Sequence, residues 1–174
     1  MSSLIPHFTF HSLLDISPDF IAGQGILFVM LDLDNTVAAY NEPTPSRAVL
    51  NWCESIRAKG ITLFLISNSM RSKRVVSFSQ ALGISYAMKA GKPSPKALLA
   101  AMSKLGYGAD VSALIGDQIF TDTLAARRAG ILSIIVKPKR FTNPFLALRY
   151  CLELPLRHIG IKAAKKGDFH EQYK

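Results

Sequence analysis

At 174 residues, 49% hydrophobic and 19% charged, the chain has the length for one domain with a sizeable core and too little charge for a disordered one. Two cysteines, Cys53 and Cys151, are too few for a disulfide framework and point to a reducing, cytoplasmic compartment. The net charge of +9 is uneven, because residues 137–174 carry nine Lys and Arg against three acids. Such a basic tail suits an anionic partner, either an acidic lipid surface or nucleic acid, unless it is only a solvated segment. The first 25 residues contain no Lys or Arg, so no signal peptide is expected. The apolar runs fall short of the ~20 residues of a membrane span.

In chain order, Ser17-Pro18 reads as a helix N-cap followed by proline at the first helical position. Ile26–Leu33 reads as a buried strand. Thr44-Pro45 restarts a helix that runs to Lys59 and stops at Gly60. A second strand covers 61–67, and a helix runs from about Arg71 to Gly83. Residues 84–88 form a short third strand, and Ser94-Pro95 opens a helix ending near Gly106. Residues 111–116 are a fourth strand, Thr121–Ala129 a helix closed by Gly130, and 131–136 a fifth strand. Continuous apolar strands separated by helices predict an α/β fold, a doubly wound, five-stranded parallel sheet flanked by helices. The alternation stops after Pro138. Residues 1–140, with a lead-in over 1–25, are therefore read as the domain and 141–174 as a basic, apolar C-terminal helical appendage.

Ligands of such sheets bind at the carboxyl ends of the strands. Asp32 and Asp34 end the first strand, Ser67 and Asn68 the second, and Asp117 the fourth, while Lys92 follows the third. These residue types meet the needs of phosphate-ester hydrolysis. A carboxylate (Asp32) attacks phosphorus, and a second acid (Asp34) protonates the leaving alcohol and then takes a proton from water. The Ser67 hydroxyl, backbone N–H groups at Ser67-Asn68 and the Lys92 ammonium are candidates for holding the phosphoryl oxygens. Asp117 and Asp122 offer oxygen ligands suited to Mg²⁺. Lys89 competes with Lys92, and Asp122 has an alternative as a first-turn helix charge. Ser67 and Asn68 have one as caps of the next helix. Arg71, Lys73 and Arg74 face either an anionic substrate or solvent.

The segments DLDNT (32–36), SN (67–68), KP (92–93) and GDQIFTD (116–122) resemble the four ordered motifs of haloacid dehalogenase-like (HAD) phosphatases, over most of residues 26–136. Within that superfamily they are similar to the YqeG-type, subfamily IIIA branch, which includes phosphatidylglycerophosphate phosphatases. The resemblance implies that Asp32 forms an aspartyl-phosphate and that the backbone carbonyl of Asp34 joins Asp32 and Asp117 on Mg²⁺. It also implies that Asp122 orients the metal's water shell and that Thr36 helps fix the loop after the first strand.

Only 32 residues lie between Asp34 and Ser67, and 24 between Lys92 and Asp117, so no cap domain is expected. An open site suits a large substrate or one presented by a surface. In 143–161, Arg149, Glu153 and Arg157 recur every four residues, so a helix there carries one charged stripe on an otherwise apolar surface. Pro155 is expected to kink or end it. With the basic run Lys162, Lys165 and Lys166, this pattern suits a peripheral seat on an anionic membrane, or packing against protein. The expected partner is a phosphomonoester, by resemblance the membrane phospholipid phosphatidylglycerophosphate. Soluble sugar phosphates and nucleic-acid ends are the alternative substrates, and a non-enzymatic RNA- or protein-binding module is the other class. Nucleic acid is disfavoured because aromatic residues do not interleave with the Lys and Arg.

Overall fold

Apolar strands need cover on both faces, and the alternation of side chains along each strand divides the core in two. In the computed structural model, which describes residues 3–141 and 144–167, strand β2 (Phe28–Leu31) sends Val29 and Leu31 to one face and Phe28 and Met30 to the other. Strand β3 (Thr62–Ile66) repeats this, with Leu63 and Leu65 on the first face and Phe64 and Ile66 on the second. Helices α1 (Pro18–Gly23), α2 (Arg47–Ala58) and α3 (Ser72–Leu82) cover the first face through Ile21, Trp52, Ile56 and Phe78. Helices α4 (Lys96–Leu105) and α5 (Leu124–Ala129) cover the second through Leu98, Met102 and Ala125. Burying a side chain such as Phe28 contributes about 1.5–3 kcal/mol.

The remaining strands are β1 (Phe8–Phe10), β4 (Ser85–Ala87), β5 (Ser112–Gly116) and β6 (Leu132–Val136). All pairings are parallel, in the order β1-β6-β5-β2-β3-β4. The chain leaves β2 outward through β3 and β4, then returns to β5 on the other side. That reversal opens a crevice at the carboxyl ends of β2 and β5. The doubly wound α/β fold is the one predicted, but the sheet has six strands rather than five. The sixth, β1, comes from the lead-in. Its three residues are too few for a periodicity, and its partner β6 lies at the far end of the domain.

Local details follow their caps. Ser17 accepts from the N–H of Phe20, as expected, whereas α2 is capped by Ser46, which accepts from Val49, and not by Thr44. Before α5 the chain makes a π-helical turn over Ile119–Thr123. The final helix, α6 (Pro144–Gly167), runs through Pro155 instead of ending there. Pro155 and Cys151 are both exposed, so the Cys151 carbonyl that loses its N–H partner can reach water. The side chains of Lys162, Lys165 and Lys166, and all of residues 168–174, lie outside the described residues. Among the described residues no helix is long and apolar enough to cross a membrane.

Strand β1 is held at its start by His7. The His7 N–H donates to the Ser133 carbonyl (3.0 Å), and the Ser133 N–H donates to His7 Nδ1 (2.9 Å). The Arg127 guanidinium lies 2.8 Å from Nε2. Burial, with Arg127 adding to it, holds the pKa of His7 down at about 4, below its ordinary 6.5. Protonation would also remove the Nδ1 acceptor. Between pH 6.5 and 4 the unfolded chain therefore binds more protons than the folded one, and stability falls as pH falls through that window. Urea unfolding at pH 7 and pH 4.5 should show a smaller loss on acidification for His7→Gln than for the parent chain. Equal losses would remove His7 from the acid response.

Candidate active site

Each motif residue reaches the crevice because it directly follows a strand. Asp32 leaves β2, and its N–H still donates to the β5 carbonyl of Ile115 (2.9 Å). The turn after it is tight. Asn35 sits at φ 63°, a left-handed conformation that asparagine tolerates, and its N–H donates to the Ala38 carbonyl (2.8 Å). Thr36 is buried, its hydroxyl has no hydrogen-bond partner among the described residues, and it lies outside the cleft.

At the centre is Lys92. Its ammonium is buried, 2.6 Å from Asp32 Oδ1 and 2.7 Å from Asp122 Oδ1, and it also donates to the Ile66 carbonyl (3.3 Å). Burial by itself lowers the pKa of this ammonium, but the charges of Asp122 and Asp32 outweigh it and hold the group above its ordinary value. Asn68 fixes the Lys92 backbone from both sides. Its Nδ2 donates to the Lys92 carbonyl, and its Oδ1 accepts from the Lys92 N–H, each at 2.9 Å. Of the two lysines, Lys92 lines the cleft, whereas Lys89 is exposed and outside it. Ser67 is buried at the end of β3, where its Oγ accepts from the Ser69 N–H (3.0 Å). Neither Ser67 nor Asn68 caps α3, whose N-cap is Arg71.

Asp122 is buried, and its Oδ2 accepts from the Gln118 N–H (3.0 Å). It is a fixed part of the site rather than a solvated helix charge. Asp32, Asp117 and Asp122 each offer a carboxylate oxygen, and these oxygens lie within 4.8 Å of one another. Both carboxylate oxygens of Asp117 are buried without a hydrogen-bond partner. Orphaned carboxylate oxygens in an all-oxygen donor set fit a hard divalent cation. Burial first, then the charges of Asp32 and Asp122, pushes the Asp117 carboxyl well above its ordinary pKa. Burial likewise raises Asp32, against the opposing charge of Lys92.

Asp34 stands at the mouth, half-buried, with Arg74 Nη2 3.4 Å from its Oδ1. Burial raises its pKa, with Arg74, Arg71 and Lys92 opposing. The cleft holds about 590 Å³ and is lined by Asp32, Asp34, Ser67, Asn68, Lys92 and Asp122 together with Tyr40, Met70, Arg71, Gln118, Thr121 and Leu146, while Asp117 lies buried behind it.

Residues 12–130 match the family model of haloacid dehalogenase-like hydrolases. The chain belongs to this family. It is 31% identical over 131 residues to a Bacillus subtilis (strain 168) protein described as "Probable phosphatase YqeG", covering 75% of this chain and 76% of that one, and is a HAD phosphatase of YqeG type. An uncharacterized protein of Listeria monocytogenes serotype 4b shares the fold at a TM-score of 0.52 and 17% identity, covering 76% of this chain and 99% of that one. The cobalt-bound deoxy-D-mannose-octulosonate 8-phosphate phosphatase of Haemophilus influenzae shares it at a TM-score of 0.50 and 13% identity, covering 86% and 95%.

Some residues of this HAD site escape a reading of motifs. Arg74 turns inward against Asp34 and donates to the Ala39 carbonyl (2.8 Å), while Arg71 lies 4.1 Å over the Tyr40 ring and Lys73 is exposed. Three basic residues in four positions do not reveal which points inward. Gln118 and Leu146 line the cleft, Leu146 from α6, which the sequence reading set apart as an appendage.

Gly116 shows how tight the site is. A Cβ there would fall 2.3 Å from Asp122 Cγ and 2.5 Å from its Cβ, and Asp122 is pinned by Lys92 and the Gln118 N–H. Gly116→Ala is expected to cost about 1–3 kcal/mol in urea unfolding. Gly108→Ala, whose Cβ would meet only the exposed Asp110 carboxylate, should stay close to the parent chain. Equal stability of the two variants would show that the Gly116 contact relaxes freely.

Proposed function

We propose that this HAD phosphatase is a Mg²⁺-dependent phosphomonoesterase whose substrate is a membrane phospholipid monoester, by family resemblance phosphatidylglycerophosphate, hydrolysed to phosphatidylglycerol. The observation that carries the lipid reading is the outer face of α6. Phe145, Leu148 and Leu152 are 70%, 60% and 63% exposed, and Leu146 on the same helix lines the cleft. Met70, also lining the cleft, and Phe120, next to Thr121, are exposed as well. Exposed apolar side chains on the helix that lines a polar cleft suit a substrate whose phosphate enters the protein while its chains stay in the bilayer. The basic residues of the tail favour an anionic surface.

The residues divide the chemistry. An Asp32 carboxylate oxygen bonds to phosphorus as the bond to the alcohol oxygen breaks, and protonated Asp34 gives its proton to that oxygen. The raised pKa of Asp34 favours that protonated form. The Asp34 carboxylate then takes a proton from water as the water oxygen bonds to phosphorus and the Asp32–phosphorus bond breaks, releasing phosphate. Lys92 keeps the Asp32 carboxylate oriented, and the Ser67 hydroxyl with the Asn68 N–H faces the phosphoryl oxygens. Asp32, Asp117 and the Asp34 carbonyl, with Asp122 beside them, would hold Mg²⁺, which when bound would supply positive charge against the phosphoryl oxygens.

The test is phosphate release with Mg²⁺ from phosphatidylglycerophosphate in mixed micelles, compared with a panel of sugar and nucleotide phosphates. Lipid turnover far above the panel, abolished in Asp32→Asn and reduced ~10²–10⁴-fold in Asp34→Asn, is expected. The double variant Leu148→Glu/Leu152→Glu should lose co-flotation with anionic vesicles. Preference for a soluble ester would keep the catalytic assignments and reject the lipid.

A further inference from the structure

The charged stripe of α6 faces the domain and its apolar stripe faces out. Glu153 and Arg157 are 1% and 4% exposed, and Arg149 is half-buried beside them. Each of the three meets a different residue of the loop that follows β5. Arg157 Nη2 donates to the Asp117 carbonyl, and its Nη1 donates to the Val136 carbonyl at the end of β6 (3.0 Å). Glu153 Oε1 accepts from the Ile119 N–H (3.0 Å), and Arg149 Nη1 donates to Gln118 Oε1 (2.7 Å). Arg157 and Glu153 also pair with each other at 2.8 Å.

The match is one of periods. Residues at i, i+4 and i+8 lie along one side of a helix, and here they reach three successive residues, 117, 118 and 119. The loop has left the sheet, so its backbone groups have no strand to pair with and must find partners elsewhere. Leucines on the same helix were available to pack against the domain, and a buried ion pair is seldom more stabilising than an apolar contact of similar size. What the charged face does that an apolar one cannot is bond the loop residue by residue.

From this we infer that Arg157, Glu153 and Arg149 are positioning residues for the metal site. They fix the loop 117–119 so that both Asp117 carboxylate oxygens stay free of other partners and aimed at the cation, as outer-shell groups do for ligating side chains elsewhere. The appendage thereby completes the active site. The inference rests on the reading of Asp117 as a metal ligand.

Mn²⁺ binding to the full chain, read by the loss of the free-ion electron paramagnetic resonance signal, tests both levels. The parent chain should bind Mn²⁺ and Asp117→Asn should not. Arg157→Lys, which keeps the charge but cannot span the Val136 and Asp117 carbonyls and Glu153 together, should raise the Mn²⁺ dissociation constant about tenfold or more. Arg149→Gln, at the less buried position, should raise it by less, and that increment should vanish in a Gln118→Ala background. Circular dichroism melting fixes a temperature at which every variant is folded. A lower melting temperature with an unchanged dissociation constant in both arginine variants would overturn the inference and leave α6 as a packing element. If Mn²⁺ binding does not depend on Asp117 in the parent chain, the metal assignment fails first and the positioning role with it.

Discussion

The Lys92 ammonium, held between Asp32 and Asp122, is the contact on which the site depends. Carboxylates at the edge of one sheet repel each other and resist ionising when buried, which is why Asp32 and Asp117 are both pushed upward. A cation among them opposes that push, and Lys92 supplies one on a fixed stem. It also joins three connections of the fold, since it stands after β4, Asp32 ends β2 and Asp122 follows β5. Asn68, from the end of β3, clamps its backbone. The four motifs thus form one unit, and losing Lys92 leaves the Asp32 and Asp122 carboxylates buried without their cation.

A parallel sheet makes such a unit possible because it delivers consecutive strand ends to one edge. The requirement then falls on the local backbone, which must turn sharply without filling the space. Asn35 takes the left-handed conformation that the first turn needs, and Gly116 leaves room for the Asp122 carboxylate against β5. Neither residue touches a reacting atom in the proposed chemistry, yet each sets where one does.

That Asp32, Asp34, Lys92 and Asp122 meet at one cleft was legible in the sequence, because strand ends in an alternating α/β chain are easy to place and share one edge of the sheet. Other parts depend on direction, which patterning does not carry. Arg74 and Lys73 are neighbours of equal charge, and the turn of α3 alone sends one toward Asp34 and the other into solvent. Strand β1 is too short to show a period, and its place is set by pairing with β6 and by the His7–Ser133 bonds.

Helix α6 makes the same point most sharply. Its sequence shows a narrow charged stripe and a wide apolar one, and the usual expectation buries the apolar side. Periodicity shows which residues share a face, but what that face meets decides which side is buried. Here the domain presents the Asp117 and Val136 carbonyls, the Ile119 N–H and the Gln118 side chain, so a charged stripe is the complementary one and the leucines are turned outward. Placing Glu153 and Arg157 in the interior without those loop partners would leave a buried ion pair with its remaining polar atoms unsatisfied, whereas Leu148 and Leu152 lose only a modest burial energy by facing out. The orientation of α6 therefore follows from the geometry of residues 117–119, and the outward-turned leucines are a consequence of how those residues are held.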